Sequence, residues 1–275
     1  MSEETREATV MVTVGARGVG KTHQNLHLIN RYVKDKPATK VRGRKVLIFD
    51  TNGEYTQESF KRAGINDLVI KNLAVKDIEN FVSNPTIEAR RIDAKMLTVN
   101  EKIEVLKYIL QKFRVGMLVL EDINNYLLQM QSVQEIVGKL TTARHVALDI
   151  LISLQSLAKV DPTLFQNAGW IRMHHQLDNV DRYKNRIPSY DVIKIAQLLV
   201  DKKYDGGDER YFLYVSSFYN KLKGNFIKQD YRDACVAYLA TTKNADIKQE
   251  MQISGKKFDD AKEVVLTRLM KYYGN

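Results

Sequence analysis

The chain has 275 residues, of which 44% are hydrophobic and 28% charged, a balance typical of globular proteins that excludes wholesale disorder. Lys and Arg number 43 against 33 acidic residues, and the formal net charge of +10 favours an anionic partner such as nucleic acid, a phosphorylated ligand or an acidic membrane. The single cysteine, Cys235, allows no internal disulfide, and no apolar run has the length of a signal segment or a membrane helix. We therefore expect a protein of a reducing, cytoplasmic compartment with no membrane span.

Short apolar runs alternate with helical patterns along the chain, which predicts an α/β fold with a mainly parallel β-sheet flanked by helices. The predicted strands are 9–14, 45–49, 87–92, 117–120, 148–154, 170–173 and 211–215. One predicted helix begins at Lys21 and another follows a capping box formed by Thr98 and Glu101. The other predicted helices are 133–140, 193–200, about 231–239 and 258–272, whereas 56–71 is predicted to be irregular.

The segment between the first predicted strand and the first predicted helix matches the pattern G-x-x-x-x-G-K-[ST]. Its residues are Gly15, Ala16, Arg17, Gly18, Val19, Gly20, Lys21 and Thr22. Glycines let backbone N–H groups converge on phosphates, and the following helix offers its positive N-terminus. Lys21 is expected to reach the β- and γ-phosphates, and Thr22 to ligate Mg²⁺. The predicted ligands are ATP and Mg²⁺. ATP is predicted in place of GTP because no N-K-x-D element for guanine follows.

Two acidic residues, Glu121 and Asp122, follow the predicted strand 117–120. Metal-assisted phosphoryl transfer needs a carboxylate at the end of a neighbouring strand and a base or water-orienting group. We expect Glu121 to bind Mg²⁺ with Thr22, and Asp122 to polarise the attacking water. The usual order in such motifs is Asp then Glu, so the two roles could also be exchanged.

Polar residues also follow two other predicted strands. Asp50 and Glu54, in the sequence DTNGEY, are expected at the same carboxyl edge of the sheet as the phosphates, although a polar turn built on an Asn-Gly pair explains them too. Gln155 ends the strand 148–154, where a polar side chain either contacts the γ-phosphate or is simply buried and hydrogen-bonded.

The ordered motifs GARGVGKT, VLIFDTNGEY, ARRID, MLVLEDINNY and ILISLQS, between Val10 and about His175, resemble the HerA/FtsK superfamily of ATP-driven DNA pumps. The resemblance implies a RecA-like fold, a homo-oligomeric ring that is usually a hexamer, and double-stranded DNA in its pore. It also implies that Gln155 is the sensor of the γ-phosphate. Each site in such rings receives an arginine finger from the neighbouring subunit. Arg144 is the preferred candidate for that finger; Arg172, Arg182 and Arg186 are alternatives, as is a plain surface role for Arg144.

We expect none of the additional domains of several larger relatives, and the sequence is most like the viral packaging ATPases. The resemblance therefore implies an ATP-dependent translocase of double-stranded DNA, acting in viral genome packaging, in the host cytoplasm or the virion, with a capsid or membrane-complex protein as partner. Residues 1–220 are predicted to form the ATPase core and 221–275 a helical C-terminal extension. The apolar face of the last predicted helix either packs within the chain or docks on a partner.

Other functions stay open on the sequence alone. One is a conjugative or plasmid-mobilisation ATPase of the same superfamily. Another is an ATP-binding switch or scaffold without DNA pumping, which the order Glu121-Asp122 keeps open, and a third is a small-molecule kinase. A basic stretch at Lys40, Arg42, Arg44 and Lys45 is either a solvated loop or a contact with the DNA backbone.

Overall fold

The computed structural model describes residues 8–39, 41–123, 138–139, 146–157, 162–187, 189–216 and 220–274. The chain folds into two compact units. The first comprises residues 1–13, 20–155 and 159–168, and the second residues 14–19, 156–158 and 169–275. The chain therefore passes from the first unit to the second and back within the predicted phosphate loop.

The first unit is built on a sheet of short, buried strands. Its described strands are β1 (Val10–Val14), β2 (Val46–Asp50), β3 (Ile70–Asn72), β4 (Ala89–Asp93), β5 (Gly116–Glu121) and β6 (Leu148–Leu154), in the order β3-β4-β2-β5-β6-β1. The pairs β3 with β4, β4 with β2, β2 with β5 and β5 with β6 are parallel. Because β2, β5 and β6 are buried along their whole length, each is mostly apolar in sequence. The predicted mainly parallel sheet is confirmed.

Helices of the first unit cover this sheet. They are α1 (Lys21–Val33), α2 (Gln57–Arg62), α3 (Ile78–Ser83), α4 (Val99–Lys112) and α5 (Pro162–Asn167), with 3₁₀ turns at Pro37–Thr39 and Val75–Asp77. Leu26 and Ile29 of α1 pack into one hydrophobic cluster with Ile48 of β2 and Val119 of β5. The spacing of three residues between Leu26 and Ile29 puts both on one helix face, and this face anchors α1 to the sheet.

A buried acid joins α1 to two strands. Asp149, the polar residue within the apolar run of β6, accepts hydrogen bonds from the Tyr32 hydroxyl at 2.5 Å and from the Thr9 N–H at 2.8 Å. Tyr32 lies at the end of α1, and Thr9 precedes β1. The two donors make burial of this carboxylate tolerable and fix the helix against the sheet at the end opposite Lys21.

The second unit combines antiparallel strands with a helical C-terminal part. Its strands β7 (Ala168–His174), β8 (Phe212–Ser216) and β9 (Lys221–Gly224) pair antiparallel in that order, and its helices are α6 (Tyr190–Asp205), α7 (Lys228–Thr241), α8 (Ala245–Ser254) and α9 (Phe258–Leu269). There are 3₁₀ turns at Val180–Arg186 and Met270–Tyr272. Ala261, Val265 and Leu269 are buried, so the apolar face of α9 packs within the chain. The division into a core of residues 1–220 and an extension of 221–275 stays a prediction.

Several elements differ from those predicted. The prediction of irregular structure for 56–71 is wrong, because this stretch contains α2 and β3. Thr56 caps α2 by accepting a hydrogen bond from the Ser59 N–H at 3.2 Å, and α2 buries only Phe60, so the helix is too short to show a periodic apolar pattern. Elements α3, α5, α8 and β9 were not predicted. The predicted helix 133–140 lies outside the described residues except for 138–139, which are helical.

No helix in the described parts of the chain has both the length and the apolar composition needed to cross a membrane.

The capping box predicted before α4 is present. The Thr98 Oγ1 accepts the Glu101 N–H at 3.3 Å, and the Glu101 carboxylate accepts the Thr98 N–H at 2.8 Å. We expect Thr98→Ala to lower the free energy of unfolding by about 1 kcal/mol, measured by urea denaturation. Thr98→Ser keeps the capping oxygen and should lose much less; an equal loss in both variants would assign the effect to the methyl group instead of the cap.

Candidate active site

The loop Gly15–Thr22 has the backbone geometry of an anion-binding turn. Gly18 and Gly20 have φ values of 87° and 90°, in the left-handed region that disfavours a side chain at Cβ. Gly20 is the N-cap of α1, and its carbonyl accepts the Gln24 N–H at 3.1 Å. Lys21 and Thr22 therefore open the helix, and the N-terminus of a helix favours negative charge.

The negative charges of three carboxylates act on the amino group of Lys21. Burial lowers the pKa of Lys21, while the negative charges of Glu121, Asp122 and Glu54 raise it, in that order of strength. These acids come from the end of β5 and from the segment after β2. The parallel register of β2 with β5 explains their meeting, because both strands end at the same edge of the sheet.

The carboxylate of Asp50 organises the turn after β2. It accepts five hydrogen bonds, from the backbone N–H groups of Asn52, Gly53, Glu54 and Tyr55 and from Nε of Arg91. Asp50 is fully buried. Both oxygens of Asp50 therefore hold the turn, and the contact of Asp50 with a nucleotide stays a prediction.

Glu54 contacts the predicted metal ligand Thr22. The Thr22 hydroxyl donates a hydrogen bond to Oε2 of Glu54 at 2.5 Å. The turn held by Asp50 thus brings the carboxylate of Glu54 to the first turn of α1.

Glu121, the last residue of β5, lies in a buried polar network. Its Oε2 accepts a hydrogen bond from the Tyr55 hydroxyl at 2.6 Å, and that hydroxyl in turn accepts one from Nδ2 of Asn25 at 2.9 Å. Asn25 also donates to Oγ of Ser153 on β6 at 2.7 Å. Sequence reasoning did not identify Asn25, Tyr55 or Ser153. The only signal was the position of Asn25, one turn after the lysine on an otherwise amphipathic helix.

Burial raises the pKa of Glu121 to about 8. The hydrogen bond from Tyr55 and the charge of Lys21 oppose this shift, whereas the nearby charges of Glu54 and Asp122 add to it. Burial also raises the pKa of Tyr55 well above its usual range, so Tyr55 stays protonated and acts as a donor. A cation placed among these carboxylates would favour their charged forms.

The oxygen donors near Lys21 fit Mg²⁺. Within the described residues, no group of three His, Cys, Asp or Glu side chains is arranged to hold a metal by itself. Mg²⁺ does not require such a cage, since it is usually bound by one or two protein oxygens together with substrate phosphates and water. Thr22 and Glu121 are the residues that would hold it, with Glu54 hydrogen-bonded to the first of them.

The backbone changes direction at Asp122, the residue that follows Glu121 at the end of β5. It has a φ of 44°, unusual for a residue other than glycine, and its N–H donates to the Ser153 carbonyl at 3.1 Å. Its Oδ2 accepts hydrogen bonds from the side-chain amides of Asn52 and Gln155, each at 3.0 Å. Glu121 is buried beside Tyr55, whereas Asp122 is partly exposed beside the predicted sensor Gln155. The role of Asn52 was not predicted.

The candidate arginine fingers differ in exposure. Arg144 lies outside the described residues, so its role stays a prediction. Arg172 is fully buried on β7, with its guanidinium 6.0 Å from the centroid of the Phe212 ring. Arg182 and Arg186 are exposed on the 3₁₀ turn Val180–Arg186.

The basic stretch before β2 is partly structural. Nζ of Lys45 donates hydrogen bonds to the carbonyls of Phe81 at 2.6 Å, Val82 at 2.8 Å and Asn84. Lys45 thus satisfies the carbonyl end of α3 and is not free to contact DNA. Lys40 lies outside the described residues.

Comparison with known proteins places this site in a familiar fold. No family model and no curated protein matches the chain. Among solved structures, the genome packaging NTPase B204 from Sulfolobus turreted icosahedral virus 2 in complex with AMP aligns with a TM-score of 0.52 and 16% identity, over 79% of this chain and 96% of that chain. B204 described as the DNA-packaging ATPase from Sulfolobus turreted icosahedral virus aligns with a TM-score of 0.52 and 17% identity, over 78% and 95%. This chain has the RecA-like fold of P-loop NTPases. The fold agrees with the resemblance to the HerA/FtsK superfamily that the motifs carry.

We expect Tyr55→Phe to lower the rate of Mg²⁺-dependent ATP hydrolysis by about tenfold with little change in ATP affinity, because it removes a buried hydrogen bond to Glu121. Steady-state kinetics and equilibrium ATP binding measure the two quantities separately. The matched control is Tyr108→Phe, which removes an exposed hydroxyl bonded to Glu79 at 3.2 Å. Equal rates in the two variants would contradict a role for Tyr55 in holding Glu121.

Proposed function

We propose that this protein is an ATPase that hydrolyses ATP with Mg²⁺ and couples hydrolysis to movement of double-stranded DNA, as in viral genome packaging. The observation that carries the proposal is that Glu54, after β2, bonds Thr22 at the start of α1, where the charges of Glu121, Asp122 and Glu54 also act on Lys21. A structural glycine turn would not need a lysine and acids at the same edge. Phosphoryl transfer needs this combination of cation, metal ligands and base.

Lys21 and the backbone N–H groups at the start of α1 bind the β- and γ-phosphates in this proposal. Thr22 and Glu121 hold Mg²⁺, which when bound neutralises charge on the phosphate oxygens. Tyr55 donates a hydrogen bond to Glu121 and so keeps this carboxylate in one orientation. Thr22 donates its hydroxyl hydrogen to Glu54 and keeps the lone pairs of its oxygen, which would be the metal ligand.

Asp122 orients and deprotonates the attacking water. Its carboxylate is partly exposed, unlike that of Glu121, and so can be reached by water. Asn52 and Gln155 both donate to its Oδ2 and leave Oδ1 for the water. Gln155 donates a hydrogen bond to Asp122, the proposed base, and lies at the end of β6. The resemblance implies that Gln155 senses the γ-phosphate and communicates its state to the other subunits of the ring.

Double-stranded DNA is the proposed partner on two grounds. The net charge of +10 favours a polyanion, and B204, which has the same fold, is described as a DNA-packaging ATPase. We further propose a homo-oligomeric ring in which Arg144 of one subunit completes the site of the next. The setting is the host cytoplasm or the virion, where a capsid or membrane-complex protein would anchor the ring.

A second candidate function is an ATP-dependent switch that binds ATP without pumping DNA. The observation that favours it is the hydrogen bonding of Asp122 to two amides, which restrains the proposed base in the absence of nucleotide. Such a switch would hydrolyse ATP slowly and would ignore DNA.

We expect ATP turnover by the purified protein to rise on addition of linear duplex DNA and to lose this stimulation as salt increases, because contacts with the DNA backbone release counterions. The measurement is steady-state phosphate release with and without DNA at low and moderate salt. Lys21→Ala removes the phosphate-binding cation and should abolish turnover in every condition. Tight ATP binding with turnover indifferent to DNA would favour the switch.

The two acids should be separable by substitution. We expect Asp122→Asn to keep ATP and Mg²⁺ binding while lowering turnover by at least about a hundredfold, the size of a general-base contribution. Glu121→Gln should instead weaken the Mg²⁺ dependence of ATP binding. Asp67→Asn, which alters an exposed acid paired with Lys34, is the control. The reverse pattern would show that the roles of the two acids are exchanged.

A further inference from the structure

The end of β7 contacts the phosphate loop through two consecutive histidines. The carbonyl oxygen of His175 accepts the backbone N–H of Ala16 at 2.7 Å. Nδ1 of His174 lies 3.1 Å from the carbonyl oxygen of Val19, and because a carbonyl only accepts, Nδ1 is the donor in this hydrogen bond. One contact lies near the start of the loop and the other three residues later, so β7 holds both halves of it.

The loop lies directly against His174. A Cβ atom added to Gly15 would come within 2.6 Å of the Cβ of His174, closer than such atoms can approach. The imidazole is fully buried, and its ring centroid is 5.2 Å from that of Phe212 on β8. Glycine at position 15 thus serves the close packing of loop and strand, in addition to any approach of phosphate.

The other histidine is fixed from α6. Nδ1 of His175 is 2.8 Å from Oδ1 of Asp201, and its ring stacks on Tyr204 with centroids 3.8 Å apart and planes at 12°. Asp201 and Tyr204 lie three residues apart on one face of α6. The strand end that supports the loop is therefore itself held by a helix.

Peptide geometry shows what the bond to Val19 does. The carbonyl of Val19 and the N–H of Gly20 belong to one peptide unit, and the described chain contains no cis peptide bond. In a planar trans peptide these two groups point in opposite directions. Holding the carbonyl toward His174 directs the Gly20 N–H away from it, and this N–H stands at the N-cap of α1, where an anion is bound.

We propose that His174 is a positioning residue for nucleotide binding: its Nδ1–H sets the orientation of the Val19–Gly20 peptide and so presents the Gly20 N–H to the phosphates. This inference rests on the proposed ATP site. It assigns a role to a residue of β7 that is far from the loop in sequence. In this role His174 neither binds a metal ion nor acts as an acid or a base.

Two substitutions of His174 separate its hydrogen bond from its volume. His174→Asn places an amide N–H close to the position of Nδ1 and can still donate to Val19. His174→Leu fills similar space with no donor and leaves the buried carbonyl of Val19 unsatisfied. The probes are ATP in steady-state kinetics and a fluorescent ADP analogue in equilibrium binding, the second of which requires no turnover.

We expect His174→Leu to weaken binding of the ADP analogue and raise the KM for ATP by about tenfold, with kcat within about twofold of wild type. The N–H–phosphate contact exists in both ground and transition states, so its loss acts on binding and not on the chemical step. His174→Asn should restore affinity to within about threefold of wild type. If His174→Leu does not fold, His174→Gln replaces it, since the longer side chain carries its amide past the Nδ1 position.

The outcomes distinguish this inference from the proposed function. Wild-type protein that binds no ATP, like Lys21→Ala, would overturn the ATP site and the inference with it. ATP binding that is lost in Lys21→Ala but unchanged in His174→Leu would overturn the inference alone. Equal weakening in His174→Leu and His174→Asn would also overturn it, because packing and not the hydrogen bond would then be responsible.

Discussion

The candidate site depends on one buried carboxylate, that of Asp50. Burial of a charge without partners is costly, and Asp50 meets this cost through Arg91 and four backbone N–H groups. These bonds shape the turn that follows β2. Three side chains of this turn then bond three residues of the site: Asn52 bonds Asp122, Glu54 bonds Thr22, and Tyr55 bonds Glu121. A residue that does not touch the proposed substrate thus places three that act on the site.

The two adjacent acids at the end of β5 have different environments because the backbone changes direction between them. Glu121 is the last residue of the strand and is buried, whereas Asp122 has a positive φ and is partly exposed. Burial raises the pKa of Glu121, a shift that a bound cation would reverse. Strain at Asp122 is of the kind found where a side chain must point in a particular direction. The buried Glu121 is therefore suited to binding a metal ion, and the partly exposed Asp122 is suited to contact with the attacking water.

The phosphate loop is supported by groups that take no part in phosphate binding. Its glycines have backbone angles that leave N–H groups accessible, but a loop with such freedom needs external contacts to keep one shape. The end of β7 provides them through one backbone and one side-chain hydrogen bond. Preorganisation of this kind lowers the entropic cost of binding and accounts for one buried and one partly buried histidine that the acid–base chemistry does not use.

The sequence by itself determined the α/β class, the strands β1, β2, β5 and β6, the capping box of α4 and the phosphate loop, because apolar periodicity and glycine spacing are local properties. It predicted Glu54, Glu121, Asp122 and Gln155 from their positions at strand ends, since parallel strands share a carboxyl edge. Only the tertiary structure decided that Asp50 is structural, that Tyr55 bonds Glu121 and that His174 holds Val19. These contacts join residues that are close together only after folding, or they depend on the direction in which a buried side chain points. The spacing of residues along the chain gives no information about such contacts or directions.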